Sequence, residues 1–176
     1  MKFPRILISL LVVSVLVSCG GDDETKTTTN PNTDGSSNFL ATLAITGATP
    51  DNGNGAIEVS SIKSDVNPAG GNQSIHILGT STVEVDGEDV TIKHQIDINY
   101  YISYLGGQTL GNVTQVSHAW GSSLDGSIDG GISVCEDATA CAATHLDPTL
   151  NTVVFSSQSL ADTTNSSVVG GTIVYP

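Results

Sequence analysis

The sequence predicts an all-β body, an antiparallel β-sandwich or open barrel of about eight strands, placed after a flexible N-terminal tether. Three observations predict it. Short β-branched runs recur between clusters of Gly, Asn, Asp and Pro. No stretch of residues 38–176 repeats its apolar residues at the helical period. One long segment alternates, with Val90, Ile92, His94, Ile96, Ile98, Tyr100, Ile102 and Tyr104 on one parity. Thr91, Lys93, Gln95, Asp97, Asn99 and Tyr101 hold the other. In a strand the first set faces the core and the second faces water.

The expected strands are 39–47, 56–63, 74–85, 90–105, 113–120, 127–134, 152–160 and 167–175. The fourth outruns a usual strand, so a bulge or bend is expected inside it. Before it, Asp86-Gly87 signals a two-residue hairpin turn, which sets Glu84 against Asp89 and Val85 against Glu88. A four-residue loop, Asp86 to Asp89, instead sets Val85 against Val90 and Val83 against Ile92. The second register is preferred, because it groups the apolar side chains and keeps like charges apart. Gly106-Gly107, Gly130-Gly131 and Gly170-Gly171 fit bends and hairpin connections. A short helical turn is expected near Ala138–Thr144.

The first residues carry a different message. Lys2 and Arg5 precede an apolar run from Ile6 to Val17, interrupted by Ser9 and Ser14. Twelve helical residues reach about 18 Å, short of the roughly 30 Å hydrocarbon core, so residues 1–18 read as a cleavable export signal. The run ends Leu16-Val17-Ser18-Cys19, which resembles the lipobox of bacterial lipoproteins. That resemblance covers about twenty residues. It implies that Cys19 is acylated (palmitate among the chains) and becomes the first residue after cleavage. Three acyl chains would hold the protein to a bilayer, since each buried CH₂ contributes about 0.8 kcal/mol. Family members kept at the inner membrane usually carry Asp after the Cys. Here Gly20 stands there, which implies the outer membrane, on its periplasmic leaflet or at the cell surface. The cluster Asp22, Asp23, Glu24 resembles the surface-export signals of some lipoproteins.

Residues 19–37 then read as an acidic tether. Beyond Cys19 they hold no large apolar side chain, so they bury too little surface to offset the entropy of ordering. Residues 38–176 form one domain, long enough to bury roughly two thirds of its surface.

Composition excludes some functions. The 176 residues carry 5 Lys+Arg against 18 Asp+Glu, a formal charge of −13. So few cations cannot neutralise a run of phosphates, so nucleic acid is not an expected partner. After signal removal only Lys26, Lys63 and Lys93 remain. Such a surface repels anionic lipid headgroups.

With Cys19 acylated, Cys135 and Cys141 are left, and an oxidising compartment favours a disulfide between them. Among the histidines, His94 sits on the apolar parity and reads as a hydrogen-bonded core residue. His145 and Asp147 have a ligand-like spacing, but Pro148 suggests a turn. His76 and His118 lie in strand runs without further context. Calcium is the one cofactor with candidate ligands, Asp51, Glu84, Asp86, Glu88 and Asp89, because hard cations take oxygen. Neither acidic cluster matches the twelve-residue calcium loop, and solvated turn carboxylates are the plainer reading. Tyr101 and Trp120 are candidate rings for stacking on a ligand such as a glycan. Three Asn-x-Ser/Thr triplets, at Asn72, Asn112 and Asn165, are chance matches in a bacterial chain.

No nucleophile elbow, zinc-protease helix motif or phosphate loop is present. The expectation is therefore a lipid-anchored, non-enzymatic binding or structural β-domain of the cell envelope. Its partners would be the bilayer through Cys19 and an envelope protein, a glycan or an amphiphile. An alternative is an accessory subunit of an outer-membrane transport or assembly system, uptake of hydrophobic substrates included. A third is a hydrolase, with Asp125, Asp129 and His145 the first positions to test.

Overall fold

The computed structural model describes residues 40–49, 51–65, 71–122 and 130–176. The signal, Cys19 and the tether lie outside the described residues. Nine strands form a single antiparallel sheet: β1 Ala41–Thr49, β2 Gly55–Asp65, β3 Gln73–Val85, β4 Glu88–Leu105, β5 Gln108–Gly121, β6 Gly131–Cys135, β7 Thr144–Asp147, β8 Thr152–Ala161 and β9 Ser166–Val174. The order runs β4-β3-β2-β1-β9-β8-β7-β5, and β4 pairs again with β5, so eight strands close a barrel. The ninth, β6, lies along the edge of β5 that β7 touches only at Gly111↔Leu146. The all-β antiparallel class expected from the sequence is what forms. Its sheet closes on itself rather than dividing into two layers, which leaves β6 as the edge strand among the described residues.

Alternation fills the barrel. Leu43, Ile57, Ile75, Ile96, Ile98, Tyr100, Val116 and Phe155 are among the buried inward residues. The outer faces carry Glu58, Lys93, Gln95 and Asp97. This is the reverse of a membrane-spanning barrel, whose lipid-facing positions are apolar. An extra residue on β5, Thr114, lies between the pairs Asn99↔Gln115 and Tyr100↔Val113. The bulge switches parity, so that both Val113 and Val116 point inward. A second irregularity on β8 sits at Ser157, whose φ of 56° is left-handed, and it brings Gln158 inside after Phe155.

Three local expectations need correction. The β3–β4 hairpin takes the two-residue turn, with Val83↔Val90, Glu84↔Asp89 and Val85↔Glu88. Asp86 and Gly87 both have positive φ, 54° and 83°, which matches the twist of the strands. Glu84 and Asp89 do face each other, but both are exposed, where water screens them. Next, His145-Leu146-Asp147 is a strand and not a turn, because Leu146 fills the barrel wall while Pro148 falls just past the ladder. Finally, the core parity of β4 fades after Tyr100: Ile102 is only partly buried against the core and Tyr104 is 79% exposed. Residues 138–143 form the single helical turn expected there, with the Cys141 N–H donating to the Asp137 carbonyl at 2.9 Å.

Cys135 and Cys141 form a disulfide with Cα atoms 5.5 Å apart. The enclosed loop is also held by Gln158, whose Nε2 donates to the Ala140 carbonyl at 2.8 Å and whose Oε1 accepts from Thr144 Oγ1 at 3.1 Å. Replacing both cysteines by serine is expected to lower unfolding stability by about 2 kcal/mol, the chain-entropy value for a loop of about 7 residues. Denaturant titration with and without reductant checks this, and an unchanged midpoint would refute it.

Candidate functional site

Two histidine-centred arrangements emerge, one inside the barrel and one on its wall. The inner one begins with neighbours on facing strands. His94 on β4 stands opposite Trp120 on β5, and Ile96 stands opposite His118. His94 and His118 are therefore diagonal neighbours on the inward face. Ser81 Oγ lies 2.8 Å from His94 Nε2, and His94 Nδ1 lies 3.0 Å from His118 Nε2. His118 Nδ1 lies 3.0 Å from Ser167 Oγ, which lies 2.6 Å from Ser133 Oγ. All five residues are at most 5% exposed. The imidazoles are parallel to within 4° with centroids 5.3 Å apart, as expected for rings joined edge to edge by a hydrogen bond.

This relay links β3, β4, β5, β9 and β6. Each neutral imidazole offers one donor and one acceptor, and each hydroxyl can serve as either. Four bonds need four of the five available protons. They are satisfied with all donors pointing from Ser81 toward Ser133, or all reversed. Trp120 covers the relay: its ring stacks on His118 at 4.7 Å and its Nε1 donates to Asn52 Oδ1 at 3.2 Å. Gly53 and Gly131 lie so close to the indole that a Cβ at either would overlap it.

Burial disfavours the charged imidazolium. It lowers His94 from 6.5 to about 4. His118 falls to about 3, by burial and then by the neighbouring His94.

The outer arrangement lies on β2, β3 and β4. His76 and Asp97 are ladder partners, as are Asp65 and Ser74. His76 Nδ1 donates to Asp97 Oδ1 at 2.7 Å, and Gln95 Nε2 donates to Asp97 Oδ2 at 2.8 Å. Ser74 Oγ lies 3.1 Å from His76 Nε2. Nucleophile, base and orienting carboxylate thus stand in the order of a Ser-His-Asp triad. Asp65 Oδ2, 3.4 Å from the same Nε2, competes with Ser74 for it.

No family model, curated protein or solved structure matches this chain.

The positions singled out in the sequence are distributed differently. Trp120 is only 2% exposed and its ring packs on His118 and two glycines, so it is a packing residue and not a ring open to a ligand. Tyr101 stands on the outer face, partly exposed. Among the described residues no three His, Cys, Asp or Glu side chains converge on a cation position. Glu84, Asp86, Glu88 and Asp89 instead line an open hairpin end. Beside Asp51, the amide oxygens of Asn52 and Asn54 are engaged by Trp120 and by the Ala48 N–H. Asp125 and Asp129 lie outside the described residues. His145 is exposed on β7. His94 is the buried, hydrogen-bonded histidine that its parity predicts.

The relay sets the acid response. Folded-state pKa values below the unfolded 6.5 mean that the unfolded chain takes up more protons as pH falls through 6.5 toward 4. Stability is therefore full near neutrality and declines on acidification. Two such histidines imply a loss on the order of 3–4 kcal/mol between pH 7 and pH 5. Denaturant midpoints across this range check it, with the single tryptophan as fluorophore. In His118→Gln the slope should fall to that of one histidine, and an unchanged slope would remove the relay as its source.

Proposed function

We propose that this chain is an exported protein, acylated at Cys19 and anchored in the outer membrane. Its barrel serves the cell envelope as a non-enzymatic binding or structural module. The anchor rests on the ordered signal that ends in Leu16-Val17-Ser18-Cys19. The module reading rests on one structural observation: among the described residues, inward side chains and the five-residue relay occupy the barrel interior, which favours engagement at its outer surface and its ends. Work as an accessory subunit of an outer-membrane transport or assembly system is a variant of the same reading. Intact mass of the processed chain is expected to show an acylated N-terminal cysteine, with the protein in the membrane fraction. Cys19→Ala should abolish both. An unmodified N-terminus on protein recovered in the soluble fraction would defeat the anchor.

A second reading, acyl-transfer hydrolysis, rests on Ser74, His76 and Asp97. Ser74 Oγ would attack an ester or thioester carbonyl while His76 Nε2 takes its proton and Asp97 orients the ring. That proton passes to the departing alcohol or thiol as its bond to the acyl carbon breaks, and water then hydrolyses the acyl-serine to free acid and Ser74. It ranks second because Asp65 competes for that nitrogen. On this reading a fluorophosphonate probe labels the wild type and fails on Ser74→Ala and His76→Ala. Equal labelling, or none on the wild type, excludes it.

A further inference from the structure

The two ends of the barrel differ in charge and in apolar exposure. Antiparallel pairing assigns each connection to an end. The Asp86-Gly87 turn, the 310 turn Asp51–Gly53 and the Asp162–Asn165 connection share one end. Exposed Asp51, Glu84, Asp86, Glu88, Asp89 and Asp162 make it strongly acidic. The opposite end holds the start of β1 at Leu40, the β4–β5 turn at Gly106-Gly107, the turn before β8 and the C-terminus.

That second end is apolar. Residues 98–124 contain no Asp, Glu, Lys or Arg, in a chain of net charge −13. Backbone pairing of β4 with β3 ends at Gln73↔Tyr100, while β4 and β5 stay paired to Leu105↔Gln108. Residues 101–110 therefore run past β3 as a two-stranded finger. At its tip Tyr104 is 79% and Leu105 71% exposed, and Leu110 is partly so. Leu40, Leu150 and Val174 are exposed at the same end, whereas Ile132 is the exposed large apolar residue of the acidic end among those described. Asp65 and Asp147 stand on the apolar side, the latter capping the Thr149 and Leu150 N–H groups.

We propose that the β4–β5 finger docks into the interface of a zwitterionic lipid bilayer, with the acidic end turned away. Tyrosine and leucine on an uncharged tip suit the headgroup boundary, where amphipathic rings and aliphatic side chains gather. The charge of the rest of the barrel disfavours anionic lipid and favours this orientation. The inference draws on the anchor reading for one further argument. The tether joins the barrel at Leu40, on the finger's end, so an acylated Cys19 would present that end to its own bilayer. If residues 20–37 are the linker that their composition predicts, about 18 residues reach on the order of 24 Å. Within that reach a few apolar side chains suffice, because the effective concentration of membrane is already high.

The test uses the full-length protein, processed in cells and reconstituted in phosphatidylcholine vesicles. With Cys19 acylated and Cys135 bridged to Cys141, one added cysteine is the single reactive thiol. An environment-sensitive dye is placed on Tyr104→Cys or, at the other end, on Ile132→Cys. The expected result is a blue-shifted emission protected from aqueous quencher at 104 and not at 132. Leu105→Asp with Leu110→Asp should abolish that shift while the protein stays on the vesicles. Identical emission at 104 and 132, or a shift indifferent to the aspartates, would overturn the proposal. A shift that appears without lipid and grows with protein concentration would also overturn it, since a second copy would then cover the tip. If the processed chain carries no acyl group, the anchor reading fails alone. Titrating the soluble protein, carrying Cys19→Ser and labelled at 104, with the same vesicles then decides docking independently.

Discussion

Two imidazoles cannot be enclosed in an apolar barrel unless every ring nitrogen finds a partner, and this demand organises the structure around His94 and His118. An unsatisfied buried polar group costs about 1–3 kcal/mol, so two rings left unpaired would consume a large share of a domain's net stability. The hydroxyls of Ser81 and Ser167 meet the demand, and Ser133 in turn engages Ser167. They come from three further strands, so the relay fixes how distant parts of the sheet face each other across the interior. Its outermost bond matters most for closure. β6 has its ladder with β5, and Ser133–Ser167 ties its inner face to β9, to which no ladder joins it. A side-chain bond thus holds together a seam that the backbone does not. The disulfide and Gln158 secure the far end of the same strand.

Much of the barrel was legible because alternation on β4 is long and unbroken. Ile92 to Tyr100 face inward as read, and each of the eight expected strands has a counterpart. What escaped was register. Preferring a four-residue loop over the Asp86-Gly87 turn displaces the pairing by two residues and puts Asn99 opposite His76. In the true register Asp97 occupies that place. The outer Ser74–His76–Asp97 arrangement is thus encoded in the Asp86-Gly87 turn signal, which outweighs a repulsion between two solvated carboxylates. The relay was harder to see. A serine at an inward position looks like a break in an apolar run until the imidazole it serves is known. His118 depends on the β5 bulge at Thr114 to share a face with Val113.

The same alternation acquires two meanings along one hairpin. Up to Tyr100, β3 lies beside β4, the barrel is closed, and even-numbered residues are interior. Beyond it the β3 ladder ends, Ile102 stays only partly buried and Tyr104 is exposed, although the sequence pattern has not changed. Burial is decided here by the length of the neighbouring strand and not by the residue. A hairpin that outlasts its neighbours turns core-type side chains into surface. Natural sheets normally blunt such projections with charge. This one carries none between Ile98 and Leu124, while the opposite hairpin, at Asp86-Gly87, is crowded with carboxylates. The unequal treatment of two ends of one barrel matches the proposed docking, in which one end meets a bilayer and the other meets water.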